Sequence, residues 1–338
     1  MPTILHIIDT TGPGGAENVF INLADKLREC NYQGRPYKSI VVIRGDGWVK
    51  QTLQSRGIEP VILECRGSFN IAFVRQLCLL IREQQVDLIQ SHLLGSNVYA
   101  AIVGLLTRKP VVATYHGMVD IAPGERFRRL KLAVMRWGIS RFIAVSDRLG
   151  ADIEARGLLQ RHKLDIIYNG IDLARYGALA SKPLRAELGL AEQDVLLGCL
   201  GNIRPAKNYP MLLSALALVK EQYPAVHIAI AGQGQKGLSE ALERQCESLG
   251  LTERVHFLGY CDNGAEFLGQ LDGFLLPSSS EGFSIATIEA LATGLPVLVT
   301  RCGGPEEIVS PNENGLMVAN EDEAAFADGL RELLGDIS

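Results

Sequence analysis

Residues 273–300 constrain the fold more than any other stretch of the chain. Residues 273–276, Gly-Phe-Leu-Leu, are short and apolar, the pattern of a parallel strand buried on both faces. Residues 277–283, Pro-Ser-Ser-Ser-Glu-Gly-Phe, are rich in turn formers. Ser284 is a good N-cap, and residues 285–293 carry apolar side chains at helical spacing. Gly294 and Pro296 stop that helix, and an apolar strand over 297–300 follows at once. A strand–loop–helix–strand unit this tight belongs to an α/β sheet.

The loop-to-helix junction is where chemistry belongs. The first N–H groups of a helix lack partners and carry partial positive charge, so a diphosphate binds there without a metal. That marks Phe283, Ser284 and Ile285 as candidate ligand contacts. Glu281 precedes the helix and Glu289 lies inside it, eight positions on. A carboxylate accepts two hydroxyl hydrogen bonds, so each suits a sugar ring. From these residues alone, a capped helix with two exposed acids is an equal reading.

The chain has 338 residues, 47% hydrophobic and 21% charged, which suits one large or two medium domains. A net charge of −5 gives no pull on nucleic acid. The 7 cysteines are scattered without a C-x-x-C pair, which argues for a reducing compartment and mostly buried thiols. The first residues read as a strand and glycines, not a signal peptide. No apolar run reaches the ~20 residues that span a bilayer. These features predict a cytoplasmic protein, with contact at the inner membrane face left open.

Along the chain, strand and helix patterns alternate. A strand over 3–9 runs into Thr10-Thr11-Gly12-Pro13-Gly14-Gly15-Ala16-Glu17 and then a helix. The glycines let a ligand approach the backbone, though the spacing is not that of a dinucleotide fingerprint and a simple tight turn also explains it. Strands are predicted over 39–44, 57–64, 87–92, 111–115, 141–146 and 164–168, and helices over 71–83, 96–106 and from 147 to near 157. His116 follows the strand 111–115, at the sheet edge where α/β proteins bind ligands. His92 ends a strand in the same way and is read as structural. A flexible loop covers 120–124. Residues 126–137 read as a basic helix carrying Arg126, Arg128, Arg129 and Lys131 beside Phe127, Leu130, Val134 and Trp137. A solvated helix face explains it, and contact with an anionic lipid surface is the alternative.

After a polar, irregular stretch over 174–194, a second series begins with a strand over 195–201. Arg204 and Lys207 follow it in a loop, where two cations can neutralise a diphosphate. No D-x-D pair for a metal occurs in the sequence, which adds weight to both cations. Helices are predicted over 209–222, 238–249, 265–272 and 322–334, and strands over 227–231, 255–260 and 314–318.

Taken together, E-G-F-S-I-A-T-I-E-A-L-A-T-G-L-P-V over 281–297 resembles the E-x7-E motif of retaining nucleotide-sugar glycosyltransferases, family 4 above all. G-P-G-G-A-E resembles that family's GG-x-E turn, His116-Gly117 its H-G element, Asn169-Gly170-Ile171-Asp172 its N-G-I-D, and residues 303–309 its G-G-x-x-E-I-V. Gly232-Gln233-Gly234 resembles its G-x-G turn, and 255–259 its V-x-F-x-G strand. The likeness covers nearly the whole chain.

The resemblance implies the GT-B fold: two doubly wound Rossmann-like domains facing a cleft, an acceptor-side domain over 1–175 and a donor domain over 176–338. It implies transfer of a sugar from a nucleotide diphosphate sugar, a UDP-sugar first, to a sugar or lipid-linked sugar acceptor, with retention and without metal. Lys207 and Arg204 would stabilise the diphosphate, Glu289 would hold the ribose, and Glu281 and His116 would orient the sugar. Gly14, Gly15, Asn202 and Gly232 would line the donor, with Leu258 and Tyr260 near the base. The family's arginine position after the glycine holds Asn202 here, and Arg204 stands two residues later. Members usually continue with a helix crossing back to the first domain; this sequence stops at Ser338. A surface polysaccharide or glycolipid pathway is expected from family frequency. Two other readings stay open: a non-hydrolysing sugar-nucleotide epimerase, and an inactive nucleotide-sugar-binding homologue.

Overall fold

A computed structural model describes residues 1–65, 67, 69–117, 126–157, 159–177 and 183–337. Contacts divide the chain into two compact units, Met1–Asn169 and Gly170–Ser338. The loop expected at 120–124 lies outside the described residues.

The first unit runs β1 (Thr3–Ile8), α1 (Gly15–Lys26), a small hairpin of β2 (Asn31–Tyr32) and β3 (Arg35–Pro36), β4 (Lys38–Ile43), α2 (Trp48–Ser55), β5 (Val61–Ile62), α3 (Ile71–Glu83), β6 (Leu88–His92), α4 (Leu94–Thr107), β7 (Val111–Tyr115), α5 (Arg128–Gly138), β8 (Arg141–Ala144), α6 (Asp147–Ala155) and β9 (Leu164–Ile166). Its seven-stranded sheet has the order β5-β4-β1-β6-β7-β8-β9, parallel throughout. The winding reverses between β1 and β6, and that switch point opens a crevice at the carboxyl ends of the strands.

The second unit repeats the plan with α7 (Pro183–Glu187), β10 (Val195–Leu200), α8 (Tyr209–Val219), β11 (Val226–Ala231), α9 (Lys236–Leu249), β12 (Val255–Gly259), α10 (Gly264–Leu268), β13 (Gly273–Leu276), α11 (Ile285–Ala292), β14 (Val297–Thr300), β15 (Leu316–Val318) and α12 (Glu323–Ile337). Its order is β12-β11-β10-β13-β14-β15, so the reversal falls between β10 and β13. Both doubly wound parallel sheets expected from the sequence are therefore present.

The continuous apolar runs follow from burial on two faces. In β10, Leu196 enters one core with Phe267, Leu271 and Val297. Leu197 enters the other with Leu212, Leu216, Phe326 and Leu330. Successive strand side chains point to opposite faces, so a strand covered on both sides needs apolar residues at every position. In the first unit, Ile8, Phe20, Ile43, Val49 and Leu53 form one such layer.

Several elements differ from the sequence reading. The strand expected over 57–64 pairs only at Val61–Ile62. α2 was not anticipated; only Val49 and Leu53 of its eight residues are buried, too few to print a helical period. The helix expected over 265–272 ends at Leu268. Asp272 is drawn into the sheet instead: its N–H donates to the Leu196 carbonyl at 2.9 Å, and its carboxylate accepts the Leu196 N–H at 2.8 Å. The final helix runs past the expected 334 to Ile337, packed on α8 and the sheet.

Candidate active site

In the second unit, the loops after β10 and β13 flank the switch point. The β13 loop carries Glu281. Its carboxylate Oε1 accepts from Lys207 Nζ at 2.8 Å and from Ser278 Oγ at 2.7 Å. The backbone around Glu281 is braced by the loop after β14. The Glu281 N–H donates to the Cys302 carbonyl at 3.0 Å, and the Gly304 N–H donates to the Glu281 carbonyl at 3.2 Å. Gly303 is held in turn by Glu306, whose carboxylate accepts its N–H at 2.8 Å. A fixed backbone and two donors on one carboxylate oxygen aim Glu281 with little freedom.

Lys207 closes a short 3-10 turn, Pro205–Lys207, and the next residue, Asn208, takes a left-handed conformation. Tyr209 anchors the turn from below by donating to the Gly201 carbonyl at 2.8 Å. Gly232, in the neighbouring β11 loop, is pressed against the same carbonyl: a Cβ at Gly232 would overlap Gly201 O. Only a residue without a side chain fits there. Asn202 spends its Oδ1 on the Gln233 N–H at 3.0 Å, tying these two loops together. Arg204 lies on the surface of the same loop.

Ser284 sits at the N-cap of α11 as expected, but its hydroxyl bonds the Thr287 hydroxyl at 2.8 Å and does not cap the backbone. Its backbone, φ −10° and ψ 82°, is not that of a usual N-cap. Phe283 and Ser284 are buried and Ile285 is half-buried. Glu289, on α11, accepts a 2.7 Å hydrogen bond from the Tyr176 hydroxyl. Burial raises the Glu289 carboxyl, with the Tyr176 bond opposing; burial and then Glu289 push the Tyr176 phenol up. Leu258 lies near the end of β12, and Tyr260 follows the strand as an exposed residue.

In the first unit, Gly14 caps α1, and the half-turn after it brings Glu17 back over Gly14; Glu17 is 7% exposed. A carboxylate in the first turn of a helix is favoured by the helix dipole. His116 leaves β7 half-buried and meets His92 at 2.9 Å, Nε2 to Nδ1, the rings stacked 5.1 Å apart. Burial lowers the His116 pKa to about 4 and the His92 pKa well below its usual value. Both rings are neutral near pH 7, so one donates and one accepts. Gln90 Nε2 lies 3.5 Å from His92 Nε2, and a donor there leaves the His92 proton on Nδ1, facing His116 Nε2. His92 was read from the sequence as structural. The signal for its partnership was its position at a strand end, since β6 and β7 run side by side with His92 opposite Thr114.

No group of three His, Cys, Asp or Glu among the described residues is placed to hold a metal ion. No helix among them is long and apolar enough to cross a membrane. α5 is amphipathic in its own way: Leu130 is 65% and Trp137 81% exposed beside Arg128, Arg129 and Lys131.

Two family descriptions cover this architecture. Residues 13–175 match "Glycosyltransferase Family 4" and residues 181–337 match "Glycosyl transferases group 1". The chain belongs to the family 4 type of GT-B glycosyltransferases. A D-inositol 3-phosphate glycosyltransferase of Nocardia farcinica is 34% identical over 275 residues, 74% of this chain and 59% of that protein. The enzyme of the same name from Corynebacterium urealyticum is 27% identical over 355 residues, 96% of this chain and 84% of that one. Among solved structures, Anabaena Alr3699/HepE in complex with UDP superposes with a TM-score of 0.83 at 26% identity, covering 99% of this chain and 90% of that one. Of the family 4 motifs, Gly14-Gly15-Ala16-Glu17 and His116-Gly117 follow strands of the first sheet, Glu281 follows β13 of the second, and Asn169-Gly170-Ile171-Asp172 spans the boundary between the two units.

Proposed function

We propose that this chain transfers a sugar from a nucleotide diphosphate sugar to an acceptor hydroxyl, with retention at the anomeric carbon and without a metal. The observation that carries the reading is the Lys207–Glu281–Ser278 cluster beside the start of α11, at the switch point of the second sheet. Lys207 supplies positive charge to the diphosphate as the bond to the sugar breaks, helped by the α11 amides and by Arg204. Glu281 and His116 accept and donate to sugar hydroxyls, and Glu289 takes the ribose. Neutral His116 suits hydrogen bonding to a sugar rather than carrying charge.

In the step itself, the bond from the anomeric carbon to the diphosphate oxygen breaks through an oxocarbenium-like transition state. The acceptor oxygen bonds to the same face, and its proton passes to the leaving diphosphate oxygen. UDP is the first nucleotide to test, because the Anabaena relative was seen with UDP. The inositol phosphate activity named for two relatives favours a hydroxylated acceptor. Synthesis of a surface polysaccharide or glycolipid at the cytoplasmic membrane face fits the exposed Leu130 and Trp137 among the cations of α5, which suit an anionic lipid surface.

Calorimetric titration with UDP, GDP and ADP, then with the matching sugars, tests the reading. Selective binding of one nucleotide, and transfer that persists in EDTA, supports it. Absence of binding to all three overturns it, and activity lost to EDTA but restored by Mg²⁺ removes the metal-free step.

A further inference from the structure

The first unit carries a second constellation that the family motifs do not include. Three segments meet at its switch point: Asp9 and Thr10 after β1, Arg44 directly after β4, and Gly95-Ser96 at the start of α4. Among the described residues, five buried polar atoms here have no hydrogen-bond partner: Asp9 Oδ1, Thr10 Oγ1, Arg44 Nε, Arg44 Nη2 and Ser96 Oγ. Ser96 is fully buried. Buried polar groups are nearly always bonded, so five orphans in one place mark a site awaiting a partner.

The framework around them is rigid. The Arg44 guanidinium lies over the Tyr99 ring at 5.1 Å and over the Phe73 ring at 5.4 Å. Those rings pack edge to face at 4.9 Å, so the cation is held by its flat side while its N–H edge is left for other work. Gly95 makes room. A Cβ there would overlap Asp9 Oδ2 and would lie 3.5 Å from Arg44 Nη2, so the carboxylate and the guanidinium converge over the bare backbone of Gly95. Asp9 is fixed by the Ser96 amide, and burial raises its carboxyl.

The donor and acceptor set selects the ligand. Arg44 offers donors, Asp9 an acceptor, and Thr10 and Ser96 either. A hydroxyl donates and accepts at once, so neighbouring hydroxyls of a polyol satisfy all four residues. A phosphate monoester dianion accepts only and leaves Asp9 Oδ1 unmatched, and any phosphate meets the negative charges of Asp9 and Glu17, which interact with each other here. We propose that Asp9, Thr10, Arg44 and Ser96 form a subsite for an uncharged, vicinally hydroxylated ring of the acceptor. This rests on the glycosyltransferase reading for its role, since only a transferase needs an acceptor subsite.

The test uses the full chain saturated with UDP, with binding followed by saturation-transfer NMR. Probes are methyl α-D-glucopyranoside and myo-inositol, with glucose 1-phosphate and inorganic phosphate as the charged arm. The expected result is binding of a neutral probe that inorganic phosphate does not displace. Arg44→Met should weaken it about tenfold, a loss of ~1.4 kcal/mol. Ser96→Ala is the second variant. Removing an orphaned hydroxyl should leave the melting temperature unchanged or raised, yet weaken the neutral probe by about fivefold, a split that a purely structural serine does not produce. Failure of both neutral probes to bind, displacement by phosphate, or wild-type binding in both variants overturns the subsite. UDP affinity is read in the same samples: its absence sinks the transferase reading, whereas UDP binding without any polyol effect sinks only this subsite.

Discussion

The two sheets share a strand order, yet their edges are finished differently. In the second unit the candidate site's carboxylates and Asn202 have partners, though Asn320, which donates to the Ser279 carbonyl, keeps an unmatched Oδ1. Lys207 holds Glu281, Tyr176 holds Glu289, and Asn202 ties the Gln233 amide. In the first unit, Asp9, Thr10, Arg44 and Ser96 keep unmatched atoms beside a guanidinium lying over two aromatic rings. A self-satisfied edge suits a ligand common to many enzymes, since the groups are aimed before it arrives and little reorganisation is needed. An unsatisfied edge depends on its ligand for closure, which is how a site rejects molecules lacking a hydroxyl at the required place.

The sharpest way to break this contrast is to unpick the second unit's cluster. On the proposed mechanism, Lys207→Ala should lower turnover by about 10³-fold and weaken UDP, because the charge assigned to the leaving diphosphate is lost. Calorimetry checks the second half, and unchanged UDP affinity ends the phosphate role of Lys207. Glu281→Ala should cost turnover about 10²-fold while UDP affinity shifts by less than about threefold. The opposite pattern, measured by steady-state kinetics beside titration, moves Glu281 to the nucleotide.

Smaller effects compare the glycines. Gly232→Ala drives a methyl into the Gly201 carbonyl and should destabilise the second unit by about 2–3 kcal/mol in denaturant unfolding. Gly14→Ala meets only the Glu17 carboxylate, the end of a side chain that can swing, and should cost less than about 1 kcal/mol. Equal costs would show that the close approach of Gly232 to the Gly201 carbonyl constrains the fold no more than the Gly14–Glu17 contact does.

An effect of similar size concerns pH. Burial lowers His6 and His116 from 6.5 to about 4, and His92 lies well below 6.5 as well. Between pH 6.5 and about 4 the unfolded chain therefore binds protons that the folded chain refuses, so stability falls as pH falls through that window. The second unit's His227 and His256 are lowered too and add to the same slope. Scanning calorimetry at pH 7 and pH 5 should show His6→Leu reducing the acid loss by about 2 kcal/mol. An unchanged loss would mean His6 is already charged in the fold.

Much of the architecture was legible because burial on two faces writes unbroken apolar runs. β7 and α3 were bounded to the residue from such patterns. α2 and the hairpin β2–β3 were not, since the hairpin is exposed throughout and α2 buries only Val49 and Leu53. Glu281, Lys207 and Glu289 were singled out by their places in a loop or helix together with the likeness to family 4 motifs. The Tyr176–Glu289 bond was invisible, because 113 residues separate the partners. Arg44 was hidden for the same reason: its rings, Phe73 and Tyr99, lie on two other helices. Spacing reads chemistry along an element, whereas constellations joining strand ends need the sheet order first.

The division of contacts at a single peptide, Asn169–Gly170, has a consequence for descent. Each side of that bond carries a whole sheet and its own core layers. Recombination at this point exchanges complete cassettes without severing a hydrophobic layer. A lineage can thus inherit one half nearly unaltered while trading the other, and new linkages arise by shuffling halves rather than by rebuilding a site residue by residue.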